Sequence, residues 1–171
     1  MLDSDVHHLE VRTGFFDKLA VLAGGSLVLG ITFLVSGYQN DSLRHGIHPI
    51  LFWLSVAMFL VLFSLIPCVV HNLLISQAVT LLSKQVECTY KAAQAARKFM
   101  EQNPGLAQNL QLPQTVREEI QLHEKAAGQF GCEKEEKVTL ATRVGVAAVA
   151  SLILGFGIGL TGVIVLFAYT Q

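Results

Sequence analysis

The sequence predicts an all-α integral membrane protein with three transmembrane helices. A cytosolic antiparallel helical hairpin is expected between the second and third. Two observations lead there: where charge is missing, and how the apolar residues recur where it is present. Charged residues make up only 15% of the 171 residues and hydrophobic residues 52%, against about 25% charged in ordinary soluble domains. The deficit is concentrated in three runs without a formal charge: 22 residues at 19–40, 38 at 46–83 and 28 at 144–171. A membrane-spanning helix needs about 20 apolar residues, and all three runs exceed that. The plainer alternative is a set of buried helices in a soluble protein. It fails because soluble helices keep one polar face, and a chain this short cannot bury three that lack one.

The N-terminal tail, 1–14, and the first turn of the helix after it hold Asp3, Asp5, Glu10 and Asp17 against Arg12 and Lys18. A signal peptide wants a basic start, so the first apolar run is read as a retained span. Cleavage near Ser36–Gly37 is the lesser alternative. Span one covers 15–36, where Ala20, Gly24, Ser26 and Gly30 form small-xxx-small pairs that let helices approach closely in lipid. A polar outer loop is expected at 37–48. Span two covers 49–71, with Pro49 placed in a first helical turn. The uncharged run continues to Ser83, ~57 Å as a helix, so the helix should leave the membrane near His71–Asn72. Pro67 is expected to kink it there.

The cytosolic hairpin is expected at 72–143, with helices at about 72–101 and 115–143. Val79, Leu82, Val86, Thr89, Ala93, Ala96 and Met100 recur in alternating steps of three and four, the signature of a heptad seam. Asn103-Pro104-Gly105 and Pro113 break the pattern. Thr115 and Glu118 have capping-box spacing. Val116, Ile120, Ala127 and Phe130 then share one face. Span three covers 144–169. Ala147, Ser151, Gly155 and Gly159 lie four apart, a close-packing seam that suits either another helix of the same chain or a second copy.

Eleven of the twelve Lys and Arg residues fall in the N-terminal tail, the first turn of span one or the second loop, and only Arg44 lies across the membrane. Basic residues are retained in the cytosol. The N-terminus and 72–143 are therefore expected inside, and the C-terminus outside, in a plasma (inner) membrane. Tyr38, Trp53 and Tyr169 mark the outer ends as interfacial aromatics.

The middles of the spans carry no ionisable group, so proton relays, voltage sensors and ion-coupled transport have no visible carriers. Their polar residues are hydroxyls: Ser26, Thr32, Ser55, Ser64, Ser151 and Thr161. A net charge of −1 lacks the basic patch that nucleic acid requires. Asp41, His45 and His48 are better read as loop residues than as a metal site. His71, at the inner end of span two, is read as an interfacial histidine touching water or headgroups. Haem would need a second axial ligand, no other span has a histidine, and Met58 is on the same helix. Cys68, Cys88 and Cys132 are odd in number and form no CxxC pair. Cys68 reads as a buried structural thiol before an acylated one. Cys88 and Cys132 are placed to face each other across the hairpin, reduced in the cytosol.

No catalytic constellation, cofactor or metal site is expected. The sequence points to a non-enzymatic membrane protein whose hairpin binds a second copy or a cytosolic partner. The alternative is an oligomeric pore or membrane-disrupting effector gated by that hairpin.

Overall fold

The computed structural model describes residues 2–39, 41–102 and 112–169. Side chains at 2–6, 37–38, 41–50, 166–167 and 169 stand outside that description. Three α-helices account for nearly all of these residues: α1 (Leu2–Gln39), α2 (Asp41–Gln102) and α3 (Gln114–Tyr169). Among the described residues there is no strand. Each helix contains a stretch long and apolar enough to cross a membrane, within His7–Ser36, Leu51–Gln102 and Gln114–Val165.

The helices extend into stretches that the charge pattern assigns to tails and loops. Residues 2–14 are helical, as are 37–39 and 41–48. Pro49 therefore stands inside α2, and neither it nor Pro67 ends the helix. α3 begins at Gln114, so Thr115 lies within the first turn. The first backbone bond there runs from the Arg117 N–H to the Pro113 carbonyl at 3.0 Å, and Gln114 Nε2 donates to Glu118 Oε1 at 2.9 Å. The expected Asn103-Pro104-Gly105 break lies outside the described residues.

The chain divides into two compact units, Met1–Leu73 with Leu140–Gln171, and Leu74–Thr139. In the first, α1 and α3 both run antiparallel to α2. Contacts along the helices establish the directions. A Cβ on Gly159 would stand 3.5 Å from Ala57, and one on Gly155 2.8 Å from Val61 Cγ2, while Gly145 faces His71. On α1, Gly30 faces Met58, Ala23 packs with Val61 and Leu152, and Phe16 with Cys68 and Ala148. The face that α3 buries is Ala141, Gly145, Ala148, Leu152, Gly155 and Gly162, in steps of three and four with one of seven spanning half-buried Gly159.

Outside that contact the first unit is apolar and exposed. Val21, Leu29, Phe52, Phe59, Ile66, Ile153 and Leu160 are among the large side chains left open, the surface that lipid would cover. Five of the six span hydroxyls donate within their own helices. Ser26 donates to the Ala23 carbonyl, Thr32 to Val28, Ser64 to Val61, Ser151 to Ala147 and Thr161 to Gly157, at 2.6–2.9 Å. Where water is absent, this is how a helix carries hydroxyls without exposing them.

In the second unit, segments of α2 and α3 pack on each other. Gln85 lies over Gly131, with Nε2 3.2 Å from where a Cβ would be, and Lys84 Nζ sits 5.8 Å from the Phe130 ring centre. Leu74, Ile75, Ala78, Leu82 and Ala92 are the buried positions of α2 here, and Ala127 that of α3. The outer faces carry helical ion pairs, Lys91–Glu87 at 2.7 Å and Arg97–Glu101 at 2.9 Å.

Candidate functional site

Among the described residues, the polar end of the first unit gathers a cluster that combines charge, burial and space. Asp17 lies in the first turn of the chain's first apolar segment, 15–36, and Asn72 ends the apolar part of span two. Their side chains meet, with Asn72 Nδ2 donating to Asp17 Oδ1 at 2.6 Å. His71 comes next to Asn72 in sequence, and its Nδ1 lies 3.3 Å from Asn72 Oδ1. Asp17, Asn72 and His71 thus form a polar chain across α1 and α2.

His71 is 0% exposed. This differs from the interfacial role its position suggests. The reason lies in its neighbours. Phe16 covers the imidazole with ring centres 3.7 Å apart and planes inclined by 30°. Gly145 lets α3 come close, because a Cβ there would stand 2.5 Å from Phe16 Cζ and 3.1 Å from His71 Cδ2. Any larger residue at 145 would force the two rings apart. His71 Nε2 is buried with no hydrogen-bond partner, and a buried polar atom in that state calls for an explanation. The signal for this cluster was present in the sequence: Asp17, Asn72 and Arg12 are the polar residues nearest that end of the spans. What no periodicity could supply is that Gly145 and Phe16 close over the histidine.

Arg12 flanks the cluster and donates from Nη2 to Thr142 Oγ1 at 3.2 Å. Between Arg12 and His71 opens a cavity of about 380 Å³, continued along α3 by Val146, Val149 and Ile153. No group of three or more His, Cys, Asp or Glu is placed to hold a metal ion among the described residues. The side chains of Asp41, His45 and His48 lie outside them.

The four residues of the expected packing seam on span three separate. Gly155 is buried, with the Ala57 carbonyl oxygen 3.1 Å and the Val61 backbone nitrogen 3.2 Å from a Cβ position. Gly159 is half-buried against Ala57, Ser151 is half-buried, and Ala147 is exposed. The glycines thus serve contact within the chain.

The expected cytosolic seam also separates. Leu82 is buried, Val79, Val86 and Ala96 are half-buried, and Ala93 and Met100 are exposed. On the facing helix Ala127 is buried, while Val116, Ile120 and Phe130 are half-buried. Cys68, Cys88 and Cys132 are all free thiols, respectively buried, half-buried and exposed. Comparison with family models, with curated proteins and with solved structures finds no match to this chain.

Proposed function

We propose that this is a non-enzymatic multi-pass membrane protein whose helical hairpin, 72–143, holds two or more copies together in the cytosol. One observation carries the reading. The apolar heptad of α2 is wider than the face its partner helix covers. Val79 and Val86 are half-covered, while Tyr90, Ala93 and Met100, further along the same side, are open. Tyr90 is 67% and Met100 42% exposed. These apolar residues sit on a helix whose remaining surface is charged, including Glu87, Lys91, Arg97 and Glu101. A second helix laid along this stripe would bury it by knobs-into-holes packing, and charged residues at its edges would help set register by pairing between the helices.

Three further points support the membrane setting and its direction. The apolar surface of the first unit suits lipid. Gly155 and Gly159 of span three already face span two, so the reading gives association to the hairpin. The distribution of Lys and Arg favours an inside N-terminus and an inside 72–143.

Sedimentation of the full-length protein in detergent tests the association. Wild type is expected as an oligomer, and the paired change Tyr90→Glu and Met100→Glu as a monomer of unchanged helix content. A monomeric wild type, or an oligomer indifferent to both changes, rejects the reading. Membrane-impermeant thiol labelling tests the direction: Ser42→Cys should react from outside and Leu110→Cys should not, and the reverse pattern would overturn it.

A further inference from the structure

The cavity between Arg12 and His71 has the features of a lipid site. Its mouth is polar and its floor is apolar. Arg12 stands at the mouth, three residues before the first span, and its guanidinium offers five N–H donors, one of which goes to Thr142. Phe16 and His71 form the wall, and Val146, Val149 and Ile153 continue it along one face of α3. From Thr142 to Ile153 the helix rises ~16 Å, about half the ~30 Å hydrocarbon core. One acyl chain of one leaflet has that reach.

The charge at the mouth selects the headgroup. Arg12, Lys18 and Arg143 share this end of the bundle. Asp17 is the carboxylate beside the cluster, and it accepts the Asn72 amide at 2.6 Å. A guanidinium at an interface binds phosphate or carboxylate oxygens through paired charge-assisted bonds. His71 adds the second polar observation. It lines the same cavity, is 0% exposed, and keeps Nε2 without a partner. Asn72 Oδ1 accepts from His71 Nδ1, which leaves Nε2 of the neutral ring an acceptor, and the hydroxyl of a singly protonated phosphate entering past Arg12 would give it a donor.

We infer that the groove bounded by Arg12, Phe16, His71 and the Val146–Val149–Ile153 face of α3 binds a single anionic phospholipid. Its headgroup lies at Arg12 and one acyl chain lies along α3. The inference rests on the membrane-embedded reading of the three helices and is independent of association through the hairpin.

The test uses the full-length protein in zwitterionic detergent, titrated with a fluorescent phosphatidic acid and with the matching phosphatidylcholine. Wild type should prefer the anionic lipid by about tenfold, the scale of a hydrogen bond to a charged group. Arg12→Gln should abolish the preference, Arg12→Lys should retain part of it, and Lys18→Gln should leave it intact. Ala150→Trp, an exposed position on the rim of the groove, should weaken binding of the chain while the helices remain folded by circular dichroism. Equal binding of the two lipids by wild type would overturn the site. So would a preference that survives Arg12→Gln or falls equally in Lys18→Gln. Displacement of the lipid by millimolar glycerol 3-phosphate alone would identify a soluble anion as the occupant and also overturn it.

Discussion

The two units of this chain both leave large apolar side chains uncovered, and the same exposure has opposite meanings in them. Val21 in the first unit is 76% exposed and Tyr90 in the second 67%. Around Val21 there are 22 consecutive residues without a charge, and lipid is as good a solvent for its side chain as another leucine or valine would be. Around Tyr90 stand Glu87 and Lys91, which form an ion pair with each other. Water would solvate such a charged helix, and an exposed apolar stripe in water is the kind of surface that a partner would cover. The contrast teaches that exposure must be read against the charge of its surroundings.

The units also differ in what holds them together. Lipid would supply no hydrophobic drive between helices, so in a membrane the first unit would depend on close approach at Gly145, Gly155 and Gly159. The hairpin instead buries Leu82, Ala78 and Ile75, which in water would supply a hydrophobic drive. The largest effect should come from breaking the first kind of contact. Gly155→Leu drives a side chain into the Ala57 and Val61 backbone, which cannot yield as a flexible side chain would. A loss of about 3 kcal/mol is expected, seen as a large drop in the thermal midpoint in detergent. Gly157→Leu, with nothing within 4 Å of its Cβ position, should be nearly neutral. Equal effects at the two sites would remove the distinction between inner and lipid-facing sides of α3.

Next in size is Leu82→Ala, which empties a buried position of the hairpin at a cost of about 2–3 kcal/mol. Hydrogen exchange should then quicken across 74–101 and 115–139 while the spans keep their protection. Smaller again is Tyr90→Glu alone. It should weaken association by about tenfold, the loss of one aromatic anchor, without altering helix content.

The smallest effect belongs to the exposed pair Glu87–Lys91. The Lys91 ammonium holds the Glu87 carboxyl below its ordinary value, and Glu87 in turn raises Lys91. A lowered carboxyl pKa contributes to the folded state above the unfolded value, and that contribution disappears as pH falls through the folded one. Glu87→Gln should flatten the acid-side loss of amide protection near residues 84–92 and change little at neutral pH. A fully exposed pair contributes weakly, so an effect as large as that of Leu82→Ala would mean the pair is covered by a partner.

Much of this contrast was legible in the sequence. Charge-free runs and a single charged segment pointed to three membrane-competent helices, because the bilayer's thickness is a length requirement any sequence must meet. The choice of packing face was harder to read. Ala147, Ser151, Gly155 and Gly159 are all small, but a line of steps of four drifts around a helix by about 40° per step. The face that α3 buries alternates four and three instead, through Gly145, Ala148, Leu152 and Gly155. Small residues occur on both lines, so size alone does not choose between them. His71 illustrates a different limit. Its position near the end of span two says interface, whereas its burial depends on Phe16, 55 residues away, and on a glycine 74 residues away. Neither distance leaves a periodic trace.

The hairpin stripe is the feature on which the functional account turns, and intermolecular cross-linking in membranes tests it most directly. In a Cys88→Ser, Cys132→Ser background, Ala93→Cys should give a cross-linked dimer with a short bis-maleimide. Gln129→Cys, exposed on the other helix, should give none. No cross-link at residue 93, or equal cross-linking at both positions, would contradict association through α2.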